Sequence, residues 1–473
     1  MASPNVTFST IPASIRKPGK YFEYNNALAV RSLPTNLQRV LIVAQLIGAG
    51  IGLANAVIQV FDSETAAGLF GRGSQSHRMV KAAIKANRYA QIFVLPMADS
   101  GTGVAATATL TAAGTATAAG AVAINVAGVD LSVPVAVGDT AAIVAASILA
   151  VINASVDLPT SQAVGGAVVT LTQRNKGTVG NAHRLTSTST ATGITVTATA
   201  FTGGLNDPTL ATALANAFTG GHEILAVPYT SGAPLTDLRT HLNSVSSSIE
   251  RRPAIGVYAS GGTLSAATTQ AGTLNSERIT AAFLKNSITA AEEIAAAYAT
   301  VIAYEEDPAM PLNTLVLTGV APPLIADRLS RTEQETCLAN GVTPLEWGPG
   351  DVVQVVRAIT TYIVNAAGVA DVSWLDLTSI RTMDYCMKAY RTRIELRFPR
   401  SKLSERTPPR IRSELLDVSY QLQDLEIIEN VDKWKNDLVV ERDLQDNNRV
   451  NSKIPVDIVN GLHVVASRLD MIL

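Results

Sequence analysis

Two separate parts of the chain alternate short, fully apolar runs with amphipathic stretches. Residues 40–44 are a continuous apolar run and read as a strand. Residues 76–87 place Met79, Ala83 and Ala86 on one helical face with Val80 and Ile84 beside them, and residues 92–95 return to a strand. The pattern resumes near residue 207. It predicts a helix over 208–217, a strand over 224–227, a helix over 235–250, and strands over 254–258 and 279–284. A helix is predicted over 290–304, with Thr289 and Glu292 at capping-box spacing. Strands over 315–317 and 352–356 flank a helix over 324–339. Repeated β-α-β units of this length imply an α/β fold with a mainly parallel sheet covered by helices.

Between these parts the pattern changes. Residues 99–206 are dominated by Ala, Thr, Gly and Val, and "VAINVAGVDLSVPVAVGD" and "GITVTATAF" alternate with period two. This is read as an inserted β-rich domain with one helix over 140–154, leaving and re-entering the α/β core at a loop. Residues 1–38 carry Pro4, Pro12, Pro18 and Pro34 and read as an irregular arm. Near the other end, Ile380, Met383, Met387, Tyr390 and Ile394 keep helical spacing, as do Ile411, Leu415, Val418, Leu422 and Leu425. The closing "GLHVVASRLDMIL" partly alternates like a strand. The expected organisation is an arm over 1–38, an α/β core over 39–98 and 207–365, and the insert over 99–206. An α+β C-terminal domain over 366–459 and a terminal arm strand over 460–473 complete it.

Charge adds a surface argument. Only 16% of the 473 residues are charged, against about 25% in ordinary soluble proteins. Mean hydropathy is +0.22, while aromatics are only 5%. Such a chain is expected to hide much of its surface against partners. The net charge of −2 offers no global field for nucleic acid. The charges that exist separate along the C-terminal region. From Arg381 to Arg412 there are ten Lys/Arg against three Asp/Glu, a net +7; from Glu414 to Asp446 there are three against ten, a net −7. The opening residues contain no apolar run of signal-peptide type, and no stretch reads as a membrane span.

The candidate chemistry does not assemble. "RVLIVAQLIGAGIGLANAVIQVFD" runs from a strand into Gly48, Gly50 and Gly52, like a dinucleotide loop. A dinucleotide fingerprint spaces its glycines G-x-G-x-x-G and places an acid about twenty residues on. Here the third glycine falls one residue early, and Asp62 follows Gly50 by only twelve residues. A structural turn is the favoured reading. "LFGRGS" before the helix at 76 reads as a tight turn and cap rather than an anion cradle. "DSGTG" (Asp99 to Gly103) resembles an aspartic-protease loop, but one chain needs two copies and has one. His77, His183, His222, His241 and His463 show no paired metal spacing. Cys337 and Cys386, the only cysteines, exclude a disulfide framework, and Cys386 sits on an apolar helix. No catalytic residue, cofactor or metal is expected.

Three stretches in order, "TIPASIRKPGKYFEYNNALA", "LFGRGSQSHRMVKAAIKAN" and "VVRAITTY", resemble the tail sheath proteins of contractile-tailed phages, the Mu-like group in particular. The "IPVDIVNGLHVVASRLDMIL" ending fits the same group. The resemblance implies a subtilisin-like core fold without its catalytic residues, and a subunit that polymerises with itself as stacked hexameric rings around a tail tube protein. It implies further partners in baseplate and tail terminator proteins, with no direct nucleic acid and no membrane insertion. It also implies assembly in the host cytoplasm into a virion tail that contracts to drive the tube through an envelope. Terminal arms would add strands to neighbouring subunits. On this chain the strand-exchange residues would be Val6, Phe8, Leu462, Val464, Ala466, Leu469 and Met471. The inward C-terminal domain would offer Lys388, Arg391, Arg393, Arg397 and Arg400 to acidic groups on the tube or a neighbour, or hold them against its own acidic stretch. The other function classes weighed are the sheath of a headless contractile bacteriocin or injection system and a nucleotide-dependent α/β enzyme.

Overall fold

A computed structural model describes residues 14–22, 33–230 and 232–472. The chain enters the main sheet on β1 (Arg39–Gln45), whose positions after the first are all buried, as a parallel strand covered on both faces must be. A glycine turn leads to the short β2 (Ile58–Val60), then α1 (Ser63–Phe70), α2 (Gln75–Ala86) and β3 (Gln91–Met97). β3 lies parallel to β1, from Arg39 opposite Gln91 to Gln45 opposite Met97.

The inserted segment forms β4 (Thr107–Gly114), β5 (Gly120–Val126), β6 (Val129–Val135), α3 (Ala141–Ala154), β7 (Thr160–Gly165), β8 (Val168–Gln173), β9 (Leu185–Ser189) and β10 (Ile194–Ala198). Its strands make two antiparallel sheets, ordered β10-β4-β8-β7 and β6-β5-β9. Alternation divides their faces. Ala108, Leu110 and Ala112 of β4 turn into a core with Ile124, Ile148 and Leu171, while Thr107 and Thr111 face solvent.

The main body resumes with α4 (Leu210–Ala217), β11 (Ile224–Ala226), α5 (Ala233–Val245), β12 (Ile255–Ser260), α6 (Leu264–Leu274), β13 (Ile279–Phe283), α7 (Ala291–Tyr304), α8 (Arg331–Ala339), β14 (Thr343–Gly348) and β15 (Val352–Val355). The eight-stranded sheet is ordered β15-β14-β13-β12-β11-β1-β3-β2. Only its edge strands β2 and β15 run antiparallel to their neighbours. Helices cover both faces. Phe70, Met79, Ile294 and Ile302 fill one side, and Leu214, Leu238, Leu242 and Tyr258 the other. α7 is buried almost all round, and its Ala295, Ala296, Ala297 and Ala299 let α2 and the sheet approach closely. The C-terminal part packs the long α9 (Leu377–Arg397) on α10 (Thr407–Asp424), followed by α11 (Val431–Trp434) and a hairpin of β16 (Val439–Arg442) and β17 (Val450–Lys453).

The fold is thus mixed α/β with several sheets, and it departs from the sequence reading in specific places. No capping box forms at Thr289 and Glu292. Thr289 Oγ1 instead accepts from Ala321 N at 2.9 Å, Ala290 is the N-cap, and Glu292 is drawn into a buried charge cluster. The expected helix over 324–339 is a short 3-10 turn followed by α8, whose true capping box is Ser330 with Glu333. α5 stops at Val245, five residues short of the expected end at 250. Residues 315–317 make a single bridge, Val316 to Gln354, rather than a strand. β2, α1, α6 and β14 escaped the reading; β2, with three residues, is too short for periodicity to register.

Candidate assembly surfaces

The stretches that resemble catalytic loops have packing roles. A Cβ on Gly50 would lie 2.4 Å from the Leu69 carbonyl oxygen, and one on Gly52 2.8 Å from it. Gly52 N donates to that same oxygen at 2.7 Å, so the turn is pressed against the end of α1. Asp99 is a clamp at the mouth of the insert. Its carboxylate accepts from Gln45 Nε2 (2.7 Å), Asn175 Nδ2 (3.1 Å) and Lys176 N (3.2 Å), tying β1 to the returning chain. Ser74 caps α2 by accepting from His77 N. Burial pushes both cysteine thiols up to about 12, which holds them protonated at neutral pH. Among the described residues no three His, Cys, Asp or Glu gather to hold a metal, and no helix is long and apolar enough to cross a membrane.

A second junction between insert and body is built from charge. His183 Nε2 lies 2.7 Å from Glu292 Oε1, and Arg78 Nη1 reaches the same oxygen at 3.1 Å. Arg78 Nη2 also meets Glu293 at 2.6 Å. Burial alone would raise the Glu292 carboxyl, but His183 and Arg78 outweigh it and hold it at about 2. Residues from α2, α7 and the insert thereby form one locked unit.

In the C-terminal part the opposed charge runs face each other across α9 and α10. Arg393, only 4% exposed, meets Glu414 at 3.2 Å and Asp417 at 2.5 Å, and Arg397 lies 3.5 Å from Glu414. Of the five expected basic contact residues, these two are engaged within the chain. Lys388 and Arg391 donate to the carbonyls of Thr35 and Arg251, and Arg400 is exposed. Exposed Lys402, Arg406 and Arg410 join Arg400 around the α9–α10 turn, with no ion pair among the described residues. The sequence reading passed over these three, although the net charge of the segment pointed at them.

After β17 the chain runs extended along the α10–α11 connection. Glu429 N donates to Asp457 O at 2.8 Å and Val459 N to Ile427 O at 3.2 Å. Its last tie to the body among the described residues is His463, beside Asn313 (2.9 Å) and Asp376 (3.5 Å). Beyond that the arm makes no strand pairing among the described residues. Leu462 is 75% exposed, Val464 78%, Leu469 98% and Met471 81%; Ala466 is exposed as well. Val6 and Phe8 lie outside the described residues. Among the described residues the β16–β17 hairpin pairs only with itself, so no described strand covers either outer edge.

Among the described residues the hairpin edges and the apolar arm stay uncovered, which leaves surfaces open to another chain, and the glycine loops serve packing. Residues 203–361 match the phage tail sheath protein central domain, and residues 369–472 the phage tail sheath C-terminal domain. Over 487 aligned residues the chain is 32% identical to the Mu-like prophage FluMu tail sheath protein of Haemophilus influenzae, covering 99% of this chain and 100% of that one. The chain belongs to the phage tail sheath family, a structural family rather than an enzyme family. Its fold also resembles the sheath tail protein of Desulfitobacterium hafniense, with a TM-score of 0.51 at 15% identity over 94% of this chain and 97% of that one. The contracted helical sheath of the anti-feeding prophage gives 0.51 at 11% identity, over 96% of this chain and 99% of the other.

Proposed function

We propose that this chain is the subunit of a contractile tail sheath that stacks as hexameric rings around a tail tube and shortens to drive the tube through a host envelope. It would be made in the host cytoplasm and built into a virion tail between baseplate and terminator. Residues 39–98 and 207–365 would form the subtilisin-like body, 99–206 an outward domain and 366–459 the inward domain. Residues 1–38 and 460–473 would be linking arms. The observation that carries this reading is the apolar terminal arm left solvent-exposed beyond His463. Large apolar side chains at such exposure are costly unless another chain covers them. A two-stranded hairpin is marginal alone and gains from a third strand, so β16–β17 is the natural acceptor edge. Exposed Arg400, Lys402, Arg406 and Arg410 supply the cationic contacts, with Lys388 and Arg391 behind them; Arg393 and Arg397 stiffen the helix pair that carries them. Exposed ion pairs are worth only about 0–1 kcal/mol each, so they can be exchanged during contraction without a large barrier.

The test compares the full chain with a variant lacking residues 460–473, by gel filtration and negative-stain electron microscopy. The full chain is expected to form long hollow tubes or helical polymers. The truncated chain is expected to keep its melting temperature and elute as a small discrete species. Polymers of unchanged length from the truncated chain would refute arm exchange, and discrete particles from the full chain would refute the sheath reading.

A further inference from the structure

A pocket of about 250 Å³ opens between the leading ends of β1, β11 and β12 and one face of α9. It carries more positive charge than it neutralises. Its two carboxylates are already committed. Glu223 pairs with Arg39 at 3.2 Å, and Asp384 takes both guanidinium nitrogens of Arg278 at 2.9 and 3.1 Å. Arg252, also on the rim, pairs with Glu250. The three cations that α9 adds have no carboxylate within 4 Å among the described residues. Lys388 Nζ donates to Thr35 O at 2.9 Å, Arg391 Nη1 to Arg251 O at 3.0 Å, and Arg381 Nη2 to Glu305 O at 2.6 Å. Seven residues make two helical turns, so Arg381 and Lys388 are stacked along α9, with Arg391 one further turn on.

Arg381 is the most telling of the three. It is 4% exposed, and its Nε and Nη1 have no hydrogen-bond acceptor. Burial pulls it down to about 10, against the more distant Glu305 and Asp307, so it is still charged at neutral pH. A buried cation without a counter-ion is costly, and an anion drawn into the adjoining pocket offsets that cost.

We propose that this pocket is an oxyanion site, taking a phosphate or carboxylate group. Lys388 and Arg391 contact it at the rim, and Arg381 supplies the field from the floor. A guanidinium fork and a rotatable ammonium together suit a compact oxyanion. The group has two sources, a free anion in solution or a carboxylate side chain of a neighbouring protein chain. The site stands on its own geometry and does not depend on the sheath assembling.

Equilibrium dialysis of the full chain with radiolabelled inorganic phosphate, at constant ionic strength, tests it. Unassembled wild-type chain is expected to bind one phosphate saturably. The double variant Lys388→Gln, Arg391→Gln is expected to bind at least tenfold more weakly, with an unchanged melting temperature in phosphate-free buffer. A second variant, Lys388→Glu, carries its own carboxylate into the pocket. It is expected to lose phosphate binding and to melt no lower than wild type. Repeating the dialysis on polymerised chain separates the sources. Retained phosphate identifies a free anion, and excluded phosphate a neighbour's carboxylate; each result is compatible with the site only if the unassembled chain binds. No saturable binding by unassembled wild type, binding that survives in the double variant, or a clear fall in the melting temperature of Lys388→Glu would overturn the proposal.

Discussion

Glu292→Gln removes one charge from the buried cluster that joins the insert to the body while keeping the side chain's shape. The folded Glu292 carboxyl sits at about 2 against an ordinary value of 4.5. At about 1.4 kcal/mol per pH unit, that gap corresponds to about 3 kcal/mol of stabilisation at neutral pH. Glu292 is 1% exposed, so solvent does little to screen the effect. Because the folded value lies below the unfolded one, the stabilisation is fully present above about pH 4.5 and is lost as pH falls through about 2. Global melting of a chain with several cores need not be two-state, so a local readout is preferable. Hydrogen exchange of peptides covering residues 179–186 and 288–298 provides one. If the cluster holds these segments together, about 3 kcal/mol makes their amides exchange roughly a hundredfold faster in the variant at pH 7. The stability gap between wild type and variant, followed by urea denaturation, is expected to narrow as pH falls from about 4.5 toward 2. Exchange within threefold of wild type at pH 7, or a gap that persists at pH 2, would refute the idea that this carboxylate clamps the insert to the body.

Two further substitutions test local features. Gly50→Ala places a methyl 2.4 Å from the Leu69 carbonyl oxygen. Backbone cannot move aside as a side chain can, so a loss of about 1–3 kcal/mol in urea denaturation is expected; Gly48→Ala, with nothing within 4 Å, is the neutral control. Ser330→Ala removes the capping box of α8. It is expected to cost about 1 kcal/mol, read as several-fold faster exchange in residues 331–339 alone.

The alternation of elements, the separate character of residues 99–206 and the two C-terminal helices were legible from hydrophobic spacing. These features repeat over many residues, and each element's buried face can be read from its own sequence. The charge inventory was legible too, in the opposed net charges of residues 381–412, which run from α9 into α10, and residues 414–446, which run from α10 into the β16–β17 hairpin. What spacing could not reveal is which partner each charge takes. Glu292 stood at capping-box distance from Thr289, yet in the folded chain it turns inward to His183, 109 residues away, and to Arg78, 214 residues away. Arg393 and Arg400 looked alike as members of one basic run. One is buried between two carboxylates and the other left in water, because α10 packs over the first and the chain turns away before the second. Asp99 read as part of a turn into the insert, its likeness to a protease loop set aside for want of a second copy, and only the approach of Gln45 and Asn175 shows it to be a clamp.

By itself the sequence determined the periodic parts of this protein: its α/β body, its β-rich insert, its helical C-terminal region and an apolar tail that alternates. Those follow from short-range rules, since a residue's place in a helix or strand depends on neighbours a few positions away. The tertiary structure alone decided the order of the sheet, the two antiparallel edge strands, the charge clamps at the insert and the exposure of the arm. Each of those depends on which distant groups come within a few ångströms, and burial then sets how strongly opposite charges act on one another.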